Sequence, residues 1–137
     1  MHVVITGAAG FIGHALAARL SSDARLGERE ITRLSLVDLA FEVAPAQDGV
    51  VHLVPGDLAN TTWLSGALGN ASFDVIFHLA SLPGGAAEAD YALARRVNLD
   101  ATVGLLEGCK AQVDSGARDR SSSSPARPRC STRCRNQ

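Results

Sequence analysis

The stretch His2-Val-Val-Ile-Thr-Gly-Ala-Ala-Gly-Phe-Ile-Gly13 decides the fold. Its first five residues form a β-branched apolar run, which is typical of a strand buried on both faces. From Phe11 onward the pattern becomes helical, and Phe11, Ile12, Leu16 and Leu20 are predicted on one apolar stripe. The stretch therefore predicts a strand, a glycine-rich turn and an amphipathic helix in succession.

The same alternation continues along the chain. Apolar runs at 34–37, 50–54 and 74–79 predict three more strands. Helices are predicted over 61–68, with Asn60 as the cap, and over 86–111, where apolar residues recur at every fourth position: Leu93, Val97, Ala101, Leu105 and Cys109. This pattern predicts an α/β fold, a Rossmann-type doubly wound parallel sheet that stops after the fourth strand and its following helix.

The charge is divided between two unlike regions. Residues 1–113 carry 12 acidic and 7 basic side chains, a net −5, whereas residues 114–137 carry 2 acidic and 6 basic ones, a net +4. The second region holds six Arg and six Ser and no large apolar residue. Since it cannot add to a core, we predict a disordered Arg/Ser-rich tail over 114–137.

The composition argues against several classes of protein. No apolar run approaches the roughly 20 residues that cross a bilayer, and the N-terminus begins with a strand pattern rather than a secretory signal. Cys109, Cys130 and Cys134 lack the spacing of a zinc site and are interpreted as thiols in a reducing compartment. We expect a cytoplasmic protein with no metal site, no membrane partner and no nucleic-acid partner.

The glycine-rich turn carries the first functional signal. Gly7 permits a tight turn after the strand, Gly10 lets a pyrophosphate approach the backbone, and Gly13 lets the helix pack closely on the sheet. The phosphates would lie at the helix N-terminus, where free N–H groups favour an anion. The alternative is a glycine-rich turn without a ligand.

Asp38 strengthens that signal because it ends the second strand 25 residues after Gly13. A carboxylate there can accept hydrogen bonds from both hydroxyls of the adenine ribose. A phosphate on the 2′ oxygen would repel it by about 4 kcal/mol at 4 Å and an effective dielectric near 20. NAD is therefore favoured over NADP, although Asp38 could also be a capping carboxylate without a ligand.

Five motifs, in order, resemble the N-terminal half of an extended short-chain dehydrogenase of the NAD-dependent epimerase/dehydratase family. They are Thr6-Gly-Ala-Ala-Gly-Phe-Ile-Gly13, Leu36-Val-Asp38, Gly56-Asp-Leu58, His78-Leu-Ala-Ser81 and Val97-Asn98. The resemblance covers residues 1–112. It implies that residues 1–113 form an incomplete NAD-binding Rossmann domain.

The resemblance also implies which residues bind the cofactor. The residue matching Asp57 contacts the adenine with Leu58 beside it, residues 78–81 border the adenine ribose and the nicotinamide side, and Asn98 is mainly a structural polar group. With the glycine-rich turn and the ribose carboxylate, the predicted cofactor-binding set is Gly7, Ala9, Gly10, Phe11, Ile12, Gly13, Asp38, Asp57, Leu58, Leu79, Ala80, Ser81 and Asn98.

Residues 84–98 are similar to a segment over the active site of the D-erythronate dehydrogenases. This similarity implies an enzyme that transfers hydride from a small sugar acid to NAD. It leaves open whether such an enzyme forms a homo-oligomer. The alternatives are a nucleotide-sugar epimerase or dehydratase, and a nucleotide-binding module without chemistry. Glu88 and Asp90 in this segment can equally be acids that favour a helix N-terminus.

The family's catalytic pair is missing from the chain. Family members use Tyr-x-x-x-Lys, in which the Tyr acts as acid and base and the Lys lowers its pKa. The only Tyr, Tyr91, is followed four residues later by Arg95, and the only Lys is Lys110. We therefore predict no catalytic residue and expect this chain alone to be inactive.

Two explanations of the tail stand side by side. With the reading frame shifted so that each codon begins one base before a Ser codon, Arg120 and Ser121–Ser124 in a GC-rich gene would give apolar residues, and the next codons permit Thr-Ser-Ser. The tail would then be an out-of-frame translation of the family's fifth strand. Otherwise it is a genuine Arg/Ser-rich segment that touches nucleic acid or a membrane surface.

Overall fold

The computed structural model describes residues 1–42, 49–69 and 72–122 of the chain. The strands are β1 His2–Thr6, β2 Arg25–Leu26, β3 Arg29–Glu30, β4 Arg33–Asp38, β5 Val51–Pro55 and β6 Val75–His78. The helices are α1 Phe11–Asp23, α2 Thr61–Gly69, α3 Gly84–Ala89, α4 Tyr91–Arg95 and α5 Ala101–Ser122. A π-helical turn at Arg96–Asp100 joins α4 to α5.

The main sheet contains four parallel strands in the order β5-β4-β1-β6. In the centre of the sheet, Val4 of β1 is paired with Ser35 of β4 on one side and with Ile76 of β6 on the other. The chain thus builds outward from β1 in one direction and then crosses to its other side. This topology confirms the predicted doubly wound α/β fold.

Helices cover both faces of this sheet. Because successive residues of a strand point to opposite faces, each strand packs against helices on both sides. Ile5 is fully buried in a cluster that includes Leu20 of α1. Val4 faces the other side, in a cluster with Leu64 of α2 and Leu105 of α5. The strands therefore consist of continuous apolar runs because each face of the sheet has its own core.

The apolar stripe predicted for α1 is wrong at its start. Phe11 and Ile12 are 94% and 67% exposed, whereas the helix buries Gly13 and Ala17. A Cβ on Gly13 would lie 2.0 Å from the Gly7 carbonyl oxygen. Because the helix approaches the preceding turn this closely, small residues form its buried face at the N-terminal end.

The single helix predicted over 86–111 is also wrong, because Asp90 interrupts it. Asp90 has φ −137° and ψ 84°, and its Oδ1 accepts a hydrogen bond from the Leu93 backbone N–H at 2.9 Å. α3 therefore ends before Asp90, and α4 begins after it. The predicted apolar stripe is confirmed in α5, where Ala101 and Leu105 are buried.

α5 includes the first nine residues of the segment predicted as disordered. The nearest proline is Pro125, and Lys110 Nζ donates to the Asp114 carboxylate one turn later, so these residues continue the helix. The tail over 114–137 stays a prediction, since α5 extends to Ser122 and residues 123–137 lie outside the described residues. Among the described helices, none has the length and apolar composition needed to cross a membrane.

Candidate functional site

The carboxyl ends of the four parallel strands border a cleft of ≈ 480 Å³. It lies where successive connections leave β1 in opposite directions, which is where open α/β sheets bind ligands. The structure brings nine of the thirteen predicted cofactor-binding residues onto its lining: Gly7, Ala9, Gly10, Asp38, Asp57, Leu58, Leu79, Ala80 and Ser81. Their roles toward a cofactor remain predictions.

Glycine is required at two positions here, Gly7 in the turn after β1 and Gly13 in α1. Gly7 has φ +70°, and a Cβ there would lie 2.5 Å from the Ala80 backbone nitrogen. The Gly10 N–H donates to the Gly7 carbonyl oxygen at 3.1 Å and closes the turn. Since the same carbonyl would meet a Cβ on Gly13, the turn, α1 and the segment after β6 are packed against one another.

The N-terminus of α1 has no side-chain cap beside the cleft. Gly10 is the N-cap residue and has no side chain that could accept a hydrogen bond from the first turn. The first N–H groups of a helix lack intrahelical partners, and together with the helix dipole they favour an anion. This end of α1 is therefore suited to a phosphate group.

Asp38 links three loops at the edge of the cleft. Its Oδ2 accepts a hydrogen bond from the Ala9 N–H at 2.9 Å, and its Oδ1 accepts one from the Leu39 N–H at 2.8 Å. Its backbone carbonyl accepts the Gly56 N–H at 2.8 Å. Each carboxylate oxygen keeps acceptor capacity for a further donor, as ribose hydroxyls would require.

The loop after β5 is held in a compact turn. Asp57 Oδ1 accepts a hydrogen bond from the Ala59 N–H at 2.8 Å, and the Asn60 N–H donates to the Asp57 carbonyl oxygen at 3.0 Å. Asn60 Oδ1 then caps α2 by accepting a hydrogen bond from the Trp63 backbone N–H at 3.1 Å, which confirms the predicted cap. Leu58 is buried below the cleft, so Asp57 is presented at the surface on a fixed loop.

His78 connects β1, β6 and α5 behind the segment 79–82. Its Nδ1 lies 2.6 Å from Thr6 Oγ1 and its Nε2 lies 3.1 Å from Thr102 Oγ1. Thr102 donates its hydroxyl hydrogen to the Asn98 carbonyl oxygen, so Nε2 carries the proton and Nδ1 accepts from Thr6. Burial lowers the pKa of His78, in keeping with a neutral imidazole.

The other four predicted residues do not line the cleft. Asn98 lies behind it, where its Oδ1 accepts the Leu82 N–H at 2.7 Å and its Nδ2 donates to the Leu82 carbonyl oxygen at 3.0 Å. Asn98 therefore acts on the cleft through the backbone. Gly13 is buried in α1, while Phe11 and Ile12 are exposed on its first turn.

Sequence reasoning missed five residues that line the cleft: Leu39, Gly56, Leu82, Leu93 and Val97. Gly56 and Leu39 directly adjoin predicted site residues in sequence, and this adjacency was the signal available for both. Leu93 and Val97 belonged to the predicted helix stripe, and Val97 also adjoins the predicted site residue Asn98. The interruption at Asp90 places them beside the cleft.

The segment after Pro83 separates its two acids. Asp90 is the N-cap of α4 through its contact with the Leu93 N–H, and so precedes the first turn of that helix instead of lying within it. Glu88 is an exposed residue of α3. Tyr91, with 77% of its surface exposed, begins α4, and Arg95 ends that helix one turn later, in an ion pair with Asp100 at 3.8 Å.

A larger cavity of ≈ 730 Å³ lies on the α1 side of Asp38. It shares Ala9, Asp38 and Leu39 with the cleft, but the glycines of the turn do not line it. The polar groups that suit a dinucleotide, namely the uncapped helix end and the strand-end loops, meet at the smaller cleft. Chemistry rather than volume therefore identifies the candidate site.

Comparison with known proteins identifies a family and curated relatives that match this chain. The model of the NAD-dependent epimerase/dehydratase family matches residues 3–126. The chain is 42% identical over 116 residues to the D-erythronate dehydrogenase of Cupriavidus necator, covering 80% of this chain and 35% of that protein. The chain thus spans about a third of the length of the curated relatives it matches.

Solved structures show the same fold. The nucleoside-diphosphate-sugar epimerase of Agrobacterium tumefaciens is 38% identical with a TM-score of 0.66, over 79% of this chain and 32% of that one. MoeE5, in complex with UDP-glucose and NAD, is 31% identical with a TM-score of 0.62, over 82% of this chain and 33% of that one. The similarity therefore extends over about four-fifths of this chain.

Proposed function

This chain belongs to the NAD-dependent epimerase/dehydratase family, and on that premise we propose that its cleft binds NAD. The observation that carries the proposal is the Asp38 carboxylate, which meets the glycine-rich turn at the Ala9 N–H. The adenosine half would bind against Asp38 and Asp57, and the pyrophosphate at the N-terminus of α1. MoeE5, whose complex contains NAD, supports the choice of cofactor.

Asp38 also sets the preference between the two nicotinamide cofactors. A 2′-phosphate would approach a carboxylate whose next two residues, Leu39 and Ala40, are uncharged. The repulsion is about 4 kcal/mol at 4 Å and an effective dielectric near 20, before solvent screening. We therefore propose that the chain binds NAD and discriminates against NADP.

The substrate class proposed for the lineage is a small sugar acid, oxidised by hydride transfer to NAD. The support is the 42% identity to a D-erythronate dehydrogenase and the segment 84–98. The alternative of a nucleotide-sugar epimerase or dehydratase is supported by the 38% identity to a nucleoside-diphosphate-sugar epimerase. Both require residues beyond those of this chain.

For the 137-residue chain itself we propose nucleotide binding without hydride transfer. Tyr91 is followed by Arg95 rather than Lys at the fourth position, and Lys110 follows no tyrosine at that spacing. The tail over 114–137 is proposed to be an out-of-frame translation of the family's fifth strand. Sequencing the gene tests this, since a one-base change near codon 115 must open a long frame containing Tyr-x-x-x-Lys.

Calorimetric titration of the purified chain with NAD and with NADP tests the binding proposal. We expect saturable binding of NAD, binding of NADP weaker by at least about tenfold, and no NADH on addition of D-erythronate. The frame-restored protein should form NADH with D-erythronate. Equal affinity for the two cofactors would refute the role of Asp38, and failure to bind NAD would refute the proposed function.

A further inference from the structure

Gly56 and Trp63 form the closest glycine–side-chain contact described in the structure. A Cβ on Gly56 would lie 1.9 Å from Trp63 Cζ2 and 2.0 Å from Trp63 Cε2. No L-residue with a side chain fits there unless the indole moves. The indole therefore lies directly against the backbone of Gly56, which in turn lines the cleft.

The requirement for glycine at position 56 comes from this ring rather than from the backbone angle. Gly7, Gly27 and Gly49 have positive φ values, whereas Gly56 does not. An alanine could thus adopt the backbone conformation at Gly56 if the space were free. The space is occupied by Trp63, the only tryptophan of the chain.

The ring is held from below and supports the loop above it. The indole of Trp63 packs against the cluster that contains Leu58, while the backbone N–H of Trp63 donates to Asn60 Oδ1 at 3.1 Å. Gly56 in turn donates its N–H to the Asp38 carbonyl oxygen at 2.8 Å. A movement of the indole would consequently shift both the Asp57 loop and the residue at the ribose side.

We propose that Trp63 is a positioning residue for the adenine side of the cleft, acting through Gly56. The proposal rests on the proposed NAD binding. Trp63 would act without touching the nucleotide, because it lines the small cavity behind Leu58 and not the cleft itself.

The first test uses Trp63 as a spectroscopic probe in the full chain. Excited selectively, its emission should change on titration with NAD and with ADP, and should stay constant with nicotinamide mononucleotide. A change of equal size with the mononucleotide would overturn an adenine-side role. Emission that stays constant while calorimetry records NAD binding would overturn the proposal as well.

The second test is a compensation experiment. Gly56→Ala should weaken NAD binding by about tenfold or more, and Trp63→Leu by a smaller factor. In the double variant the leucine makes room for the alanine, so affinity should recover toward that of Trp63→Leu. Gly66→Ala is the matched control on α2, since a Cβ there meets nothing within 4 Å.

Thermal melting accompanies each variant, because Gly56→Ala alone can fail to fold. In that case recovery of a cooperative melt and of NAD binding in the double variant supports the proposal. A double variant no better than Gly56→Ala overturns it, as does a Trp63→Leu chain with unchanged affinity. If the unaltered chain gives no calorimetric signal with NAD, the proposed function fails instead.

Discussion

The two ends of the parallel sheet differ in how their polar groups are paired. At the amino end, the His2 N–H donates to Asp74 Oδ2 at 2.8 Å and Arg29 pairs with the other oxygen at 2.7 Å. At the carboxyl end, α1 begins without a side-chain cap and the Asp38 carboxylate borders the cleft. One end is satisfied by the protein itself, and the other keeps donors and acceptors for a ligand.

The largest expected effect comes from a substitution that disrupts the packing at the carboxyl end of the sheet. Gly13→Ala places a Cβ 2.0 Å from the Gly7 carbonyl oxygen, and α1 must move away from the sheet. We expect a loss of about 3 kcal/mol in the free energy of unfolding, measured by urea denaturation. Gly66→Ala should instead stabilise α2 by up to about 1 kcal/mol; equal stability of the two variants would contradict the packing argument.

The next prediction compares the two carboxylates directly. Asp38→Ala should weaken NAD binding about tenfold to a hundredfold, because hydrogen bonds to a charged group contribute roughly 1.5–3 kcal/mol. Asp74→Ala should lower the melting temperature while calorimetry finds the NAD affinity unchanged. If Asp74→Ala weakened NAD binding as much as Asp38→Ala, the distinction between the ends would be lost.

Much of the carboxyl end could be predicted because its signals are local. The glycine spacing, the acid that ends a strand and the alternation of apolar runs each depend on neighbours in sequence, and nine predicted residues meet at one cleft. The strand order follows from the same alternation, since crossovers in such folds have a preferred hand.

The contacts that sequence reasoning missed depend on distances between elements. The buried face of α1 is set by how closely Gly13 approaches Gly7, so a stripe drawn from apolar residues alone misplaced Phe11. Asp90 lies between alanine-containing segments that favour a helix, and its cap contact with Leu93 shows that one helix stops there and another begins. Nothing in the spacing of Gly56 and Trp63 indicates that they touch.

A change of pH tests both ends together. Burial lowers the pKa of His2 at the amino end and of His78 at the carboxyl end. The unfolded chain, with a histidine pKa near 6.5, then takes up protons more readily than the folded one. The stabilisation is fully present above about pH 6.5 and is lost as the pH falls below it.

The melting temperature should therefore fall by a few degrees between about pH 7.5 and pH 5.5, a small effect because both imidazoles are only partly buried. His78→Asn should reduce this dependence. The pKa of Asp74 is also lowered, first by its hydrogen bond from the His2 N–H, but its contribution is lost only in more acidic solution. A melting temperature that rises on acidification would contradict the assignment.

The smallest expected effect sets the scale for the others. Arg19 and Asp23 form an exposed ion pair on α1 at 2.7 Å, with side chains 76% and 40% exposed. Arg19→Ala should change the free energy of unfolding by less than about 0.5 kcal/mol and leave NAD affinity unchanged. A larger change in urea denaturation would show that exposed charges contribute more here than the polar networks at the two ends.

The π-helical turn at Arg96–Asp100 makes helical phase part of the site. Asn98 holds Leu82, and Thr102 holds His78, so one stretch of helix anchors the cleft wall at two points. A π-helical turn winds by less than the roughly 100° per residue of an α-helix, so it sets the angle between Asn98, inside the turn, and Thr102, beyond it. An ordinary α-helix over the same residues would present one of the two anchors at a different angle, and the turn thus acts as an angular spacer.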